Sequence, residues 1–89
     1  MNVLEKAIEV YGADLQKQVA IEEMSELIKE ICKDFRGKGD RKHILEEIAD
    51  VKIMLSQLLI MYDIEVWELN DVMISKLDRL EKRLANEDN

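Results

Sequence analysis

The hydrophobic and polar residues along this chain alternate with the period of an α-helix. Apolar side chains recur at intervals of three and four residues, which places them on one side of each helical segment. Glycine interrupts the pattern at only two places, so the segments between the breaks are long. The sequence therefore predicts helices near 3–11, 14–35, 41–62 and 64–86, with Asp14, Asp40 and Asp63 as candidate N-caps.

The third predicted helix is apolar on most of its circumference. Ile48, Leu55 and Leu59 lie on one side, and Ile53 and Ile60 extend the apolar surface round the other. Such a helix is covered on most of its sides, yet 89 residues build only a small core. We therefore expect a compact, all-α, antiparallel bundle of about four helices that is completed by homo-oligomerisation, as a homodimer or as a tetramer built from dimers.

Composition narrows the classes of protein that this chain can belong to. Residues 1–89 are enough for a single domain, and the net charge of -7 argues against binding long nucleic acids, whose phosphates would be repelled. One cysteine and one histidine cannot build a Cys/His zinc site. The charged first segment is unlike a signal peptide, and no apolar run reaches the roughly 18 residues of a membrane span. We expect a cytoplasmic protein with no membrane partner.

Two predicted helices carry acidic residues where a plain bundle would carry apolar ones. Glu23 and Glu26 are three residues apart on the second helix, and Glu47 and Asp50 have the same spacing on the third. Residues at this spacing lie about 60° apart on a helix and share a face. Both pairs border the apolar stripe of their helix, so the four carboxylates are expected to meet between the two helices.

A divalent cation would explain such a group of carboxylates. Four acids in a half-buried site cannot all remain ionised without a counter-charge. Oxygen ligands select a hard ion, which makes Mg²⁺ the first candidate and Mn²⁺ the second. A cation held in this way can bind phosphate oxygens and lower the pKa of a bound water, as phosphoanhydride hydrolysis requires. The structural alternative is a solvated helix face, which is the usual meaning of a single E-x-x-E pair.

The order and spacing of the acids resemble a known family. The segment EEMSE is followed after twenty residues by EIAD, within YGADLQKQVAIEEMSELIKE and ILEEIADVKIMLSQLL. This pattern resembles the signature of the MazG-like, all-α nucleoside triphosphate pyrophosphatases of the small phage and Gram-positive type. The resemblance implies magnesium-dependent hydrolysis of NTPs or dNTPs to monophosphate and pyrophosphate, in nucleotide-pool cleansing. By resemblance, the magnesium ligands and catalytic acids are Glu23, Glu26, Glu47 and Asp50, with Glu22 as an outer-shell group or water activator.

Candidate substrate-binding residues lie on two other parts of the chain. In the family that the chain resembles, basic residues of the last helix help to hold the triphosphate, which here points to Lys76 and Arg79. The structural reading of these bases is a solvated helix end with favourable dipole placement. Gln16 shares a face with Glu23 one heptad earlier and is a candidate contact to base or sugar.

The sequence also leaves other functions to consider besides nucleotide hydrolysis. A di-iron bundle would use E-x-x-H pairs, but the third residue after each leading acid is Glu26 or Asp50, not histidine. A non-enzymatic, acidic helical-bundle interaction module is the main alternative. A degenerate family member that binds nucleotides without turning them over is a variant of it, although the chain retains all four acids.

Overall fold

The computed structural model describes residues 1–87. It consists of four α-helices and contains no strand within those residues, so the predicted all-α fold with four helices is confirmed. Their bounds lie within about two residues of those predicted from the pattern. None of the helices in the described part is both long and apolar enough to cross a bilayer. The helices are α1 (Val3–Tyr11), α2 (Ala13–Phe35), α3 (Arg41–Met61) and α4 (Val66–Glu87).

One of the three predicted N-caps has the expected geometry. The Asp40 carboxylate accepts a hydrogen bond from the Lys42 backbone N–H at 2.9 Å at the start of α3. The prediction for Asp14 is wrong, because Gly12 is the N-cap of α2 and Asp14 lies in its first turn. Gly12 has φ 89°, a conformation that suits glycine and strains residues with a Cβ atom. The prediction for Asp63 is also wrong: it has φ 56° just after α3 and caps no helix.

Helices α1, α2 and α3 pack on one another and form the core within the chain. Ala20 of α2 and Met54 of α3 are its buried apolar residues, at 1% and 6% exposure. Beside them the Gln16 amide donates a hydrogen bond of 2.7 Å to the Gln57 carbonyl oxygen, and the Gln57 amide donates to the Leu4 carbonyl at 3.4 Å. This buried polar network therefore connects the three helices, with α2 and α3 antiparallel.

Helix α4 stands apart from this core. None of its residues, Val66–Glu87, is buried. The radius of gyration is 16.7 Å, whereas a compact domain of this length has a value of about 12 Å. The apolar stripe of α4 therefore does not fold back onto the other three helices within the chain, and completion of the bundle by homo-oligomerisation stays a prediction.

Candidate metal centre

Three acidic side chains meet between α2 and α3. Glu23 projects from α2, and Glu47 and Asp50 project from α3. Each offers one carboxylate oxygen, and these three oxygens lie within 4.8 Å of one another. The i, i+3 spacing places Glu47 and Asp50 on one face of α3, and the antiparallel packing brings Glu23 opposite them. Three of the four acids predicted to form the site are thus brought together.

The packing of α2 on α3 sets the position of this cluster. Gln16 lies seven residues before Glu23, and its partner Gln57 lies seven residues after Asp50. Seven residues are about two helical turns, so the glutamine pair and the acidic pair lie on the same line of the interface. The small Ala20 side chain lies between them on α2 and allows close approach of the two helices. The core and the cluster therefore belong to one continuous contact surface.

Two acids of the cluster, Glu23 and Glu47, have raised pKa values. Burial raises the pKa of Glu23 above its ordinary value, and the nearby charge of Asp50 and a shared side-chain hydrogen bond raise it further. Burial also raises the pKa of Glu47, followed by the charges of Asp50 and Glu26. The Oε2 atom of Glu47 is buried and has no hydrogen-bond partner in the described part of the chain. A buried carboxylate oxygen without a donor is costly, so positive charge beside it would stabilise this cluster.

Basic side chains do not supply that charge. Within residues 1–87, the ion pairs all lie outside the cluster of Glu23, Glu47 and Asp50. The pairs are Lys33 with Glu30 at 3.2 Å, His43 with Asp40 at 3.6 Å, and Lys82 with Asp78 at 3.0 Å.

The three carboxylates fit a divalent cation. Their oxygens are the ligand type that Mg²⁺ and Mn²⁺ prefer, and Mg²⁺ commonly binds through a few carboxylates while substrate phosphates complete its coordination. The unpartnered Glu47 Oε2 is an oxygen that such an ion would satisfy. Glu23 and Glu47 are half-buried and Asp50 is exposed, so the cluster opens to solvent on one side. A substrate can therefore reach it.

The remaining predicted acids, Glu22 and Glu26, are exposed on α2 and lie outside the three-residue cluster. The charge of Glu26 contributes to the raised pKa of both Glu23 and Glu47. Glu22 is exposed and precedes Glu23 directly in α2. The roles of Glu22 and Glu26 in catalysis, and that of Glu26 in metal binding, stay predictions.

The predicted substrate-binding residues are not gathered around the cluster by the chain's own packing. Lys76 and Arg79 are exposed on α4, outside the core of α1 to α3. Gln16 is only 7% exposed, and its amide nitrogen donates to Gln57. Gln16 therefore connects α2 to α3 through this hydrogen bond. Its contact with a base or sugar stays a prediction.

Two polar residues of this region were not singled out from the sequence. Glu30 is 7% exposed, pairs with Lys33, and contributes to the raised pKa of Glu47. Its place seven residues after Glu23 was a usable signal, because that spacing keeps it on the same face. Gln57 is 2% exposed and lies seven residues after Asp50, so the same rule would have placed it at the α2–α3 interface.

Comparisons of the chain with protein-family models, with curated proteins and with solved structures found no match. The likeness to the MazG-like superfamily therefore rests on the acidic motif and its helical setting, and membership stays a prediction.

Proposed function

We propose that this chain is a nucleoside triphosphate pyrophosphohydrolase that depends on Mg²⁺ or Mn²⁺. The reaction consumes one water and one NTP or dNTP, and yields the nucleoside monophosphate and pyrophosphate. The observation that carries the proposal is the cluster of Glu23, Glu47 and Asp50, whose oxygens lie within 4.8 Å of one another and have no basic partner among residues 1–87.

In this proposal Glu23, Glu47 and Asp50 hold the metal ion. When bound, the ion would neutralise phosphate charge and lower the pKa of a coordinated water. The half-buried setting of Glu23 and Glu47 lowers the local dielectric constant, so their attraction to a cation is stronger than that of surface acids. Exposed Glu22 and Glu26 lie on the same segment of α2 and are the candidate acceptors for the proton that leaves the attacking water.

The substrate contacts and the point of cleavage belong to the same proposal. Lys76 and Arg79 bind the triphosphate, since their charge is opposite to that of the phosphates, and Gln16 borders the base or sugar. Cleavage between the α and β phosphates is supported by the resemblance of EEMSE and EIAD to the motif of the MazG-like enzymes. The enzyme works in the cytoplasm as a homo-oligomer and removes unwanted nucleotides from the pool.

Pyrophosphate release from a panel of NTPs and dNTPs tests the proposal. We expect turnover of at least one nucleotide with Mg²⁺ and none in EDTA. Glu47→Gln removes one carboxylate from the cluster and should lower the rate by at least about 100-fold. Glu46→Gln changes the exposed neighbouring residue in the same way and should retain most of the activity. Equal rates in wild type and Glu47→Gln would place the reaction elsewhere.

The exposed α4 favours a second candidate, an acidic helical-bundle module that binds another protein without catalysis. None of the residues Val66–Glu87 is buried, although the helix carries a continuous apolar stripe. In that case the nucleotide panel would give no pyrophosphate with either metal. Nucleotide binding without turnover would instead indicate a degenerate family member.

A further inference from the structure

The apolar stripe of α4 is exposed along its whole length. Its members recur at intervals of three and four residues, which places them on one face of the helix. The exposed fractions are 59% for Leu77 and 42% for Leu80, far above those of residues in a packed core. The stripe consists of Val66, Leu69, Met73, Leu77, Leu80 and Leu84.

This stripe continues onto the side of α3 that faces away from α2. An apolar cavity of about 550 Å³ lies between the two helices, with Leu55 and Leu59 on the α3 side and Leu69 and Met73 on the α4 side. Leu55 is 47% exposed. The open stripe and the open cavity therefore form one apolar surface, which we term the α3–α4 surface.

The solvent-accessible area of the chain shows how much surface a partner would bury. A folded monomeric protein of 10.4 kDa has about 5,400 Å² of accessible surface. This chain has 7266 Å², which is an excess of about 1,900 Å². Obligate homodimers bury about 1,000 to 2,500 Å² on each subunit. The excess thus has the size that a stable dimer of this chain would bury.

The charged residues of α4 indicate which partner covers its apolar stripe. Its first half carries Glu68 and Asp71 and no base up to Ser75, whereas its second half carries four bases and three acids. Two copies of α4 related by a two-fold axis perpendicular to the helix would run antiparallel. The acidic first half of each copy would then face the second half of the other, which has one more base than it has acids. A parallel arrangement would place the two acidic first halves side by side. The helix is therefore complementary in charge to a second copy of itself. The bases of its second half are Lys76, Arg79, Lys82 and Arg83.

We infer that the α3–α4 surface is the interface with a second copy of this chain, with the two α4 helices antiparallel about a two-fold axis. This inference rests on the homo-oligomer proposed above and not on the proposed reaction. An inactive protein that still forms this dimer would overturn the reaction alone, and an active monomer would overturn the interface alone.

Light scattering at micromolar concentration gives the first test. We expect a mass of at least twice 10.4 kDa for the wild-type chain. Leu77→Glu places a charge on the stripe and should weaken association by at least about 100-fold in Kd. Ser75→Glu adds the same charge about 160° away round α4 and should leave the mass unchanged. A monomeric wild type, or a Leu77→Glu variant that associates as tightly as wild type, would overturn the inference.

Disulfide cross-linking tests the antiparallel arrangement without disturbing the fold, because the substituted positions are exposed. In a Cys32→Ser background, chains with Val66→Cys are mixed with chains with Leu84→Cys and oxidised mildly. We expect cross-linking in the mixture and little in either variant alone, since opposite ends of α4 would meet. Efficient cross-linking of each variant with itself would show parallel helices, and an absence of any cross-link in the mixture would also overturn the arrangement.

Discussion

A carboxylate oxygen of Glu23 on α2 lies within 4.8 Å of one of Asp50 on α3, across the interface of the two helices. Burial raises the pKa of Glu23, and the negative charge of Asp50 raises it further because two carboxylates so close together repel each other. Glu47 lies beside them, and its buried Oε2 atom accepts no hydrogen bond from any of residues 1–87. Proton binding and cation binding are therefore alternative ways to relieve the same repulsion.

The first prediction concerns the pH dependence of stability without metal. The pKa values of Glu23 and Glu47 are raised above 4.5 in the fold. The folded chain thus binds protons more tightly than the unfolded chain, which favours folding below pH 4.5. That contribution is lost as the pH rises through the raised pKa values. Urea unfolding in EDTA from pH 4.5 to 8 should show a free energy of unfolding that is lower at the upper end.

Two variants separate this effect from the titration of other groups. Glu47→Gln cannot ionise, so its stability relative to wild type should increase as the pH rises. Glu9→Gln removes an exposed acid of α1 and should keep the wild-type slope. Parallel curves for wild type and Glu47→Gln would mean that Glu47 carries no repulsion in the fold.

The second prediction concerns metal and heat. A ligand that binds only the folded chain at 100 times its Kd adds about 2.7 kcal/mol to the free energy of unfolding. For a chain of this length, that corresponds to a rise in Tm of at least about 10 °C. Scanning calorimetry with saturating Mn²⁺ or Mg²⁺ should show this rise in wild type and Glu9→Gln. The same rise in Glu47→Gln would place the bound ion outside the cluster.

The third prediction concerns the contribution of each acid to catalysis. Alanine at Glu23, Glu47 or Asp50 should lower kcat by at least about 100-fold, because each removes one oxygen donor from the cluster. A second substitution should add little, since one lost ligand already disables the site. Glu26→Ala should cost less, because Glu26 lies outside the cluster. Single-turnover rates of the single and double variants measure this, and additive losses would argue against one shared ion.

The fourth prediction concerns the buried glutamine pair. Gln57→Leu leaves the Gln16 amide buried without its acceptor, which should lower the free energy of unfolding by about 1–3 kcal/mol. Changing both Gln16 and Gln57 to Leu should restore much of that loss, because no buried donor is then left unpaired. A double-mutant cycle in urea measures the coupling between them. A coupling near zero would show that the hydrogen bond does not stabilise the α2–α3 interface.

The spacing of residues along the helices predicted part of the site from the sequence. The i, i+3 relation of Glu47 and Asp50, next to an apolar stripe, was sufficient to place them together on α3. Spacing did not predict that Glu26 would lie outside the cluster, because that depends on the angle at which α2 crosses α3. Spacing also did not predict that the Gln16 amide would donate a hydrogen bond to Gln57, because a hydrogen bond between residues far apart in sequence leaves no local pattern.

The same limit applies to the fold. The pattern predicted α4 and its apolar stripe, but a pattern shows that a face is apolar and not what covers it. The stripe was therefore assigned to a bundle completed by homo-oligomerisation, without showing which part of the cover comes from the chain itself, and none of the residues Val66–Glu87 is buried in the chain. The prediction of an N-cap at Asp14 was wrong for a related reason. Gly12 and Asp14 are both residue types that cap helices, and only the backbone conformation selects Gly12.

The identity of the first products is the most direct test of whether the chain is a pyrophosphohydrolase. Phosphorus NMR follows the nucleotide preferred in the panel as the wild-type chain turns it over in Mg²⁺. We predict that the three triphosphate signals are replaced directly by those of a monophosphate and pyrophosphate, with Glu46→Gln behaving as wild type and Glu47→Gln nearly inactive. Orthophosphate and nucleoside diphosphate as the first products would contradict it.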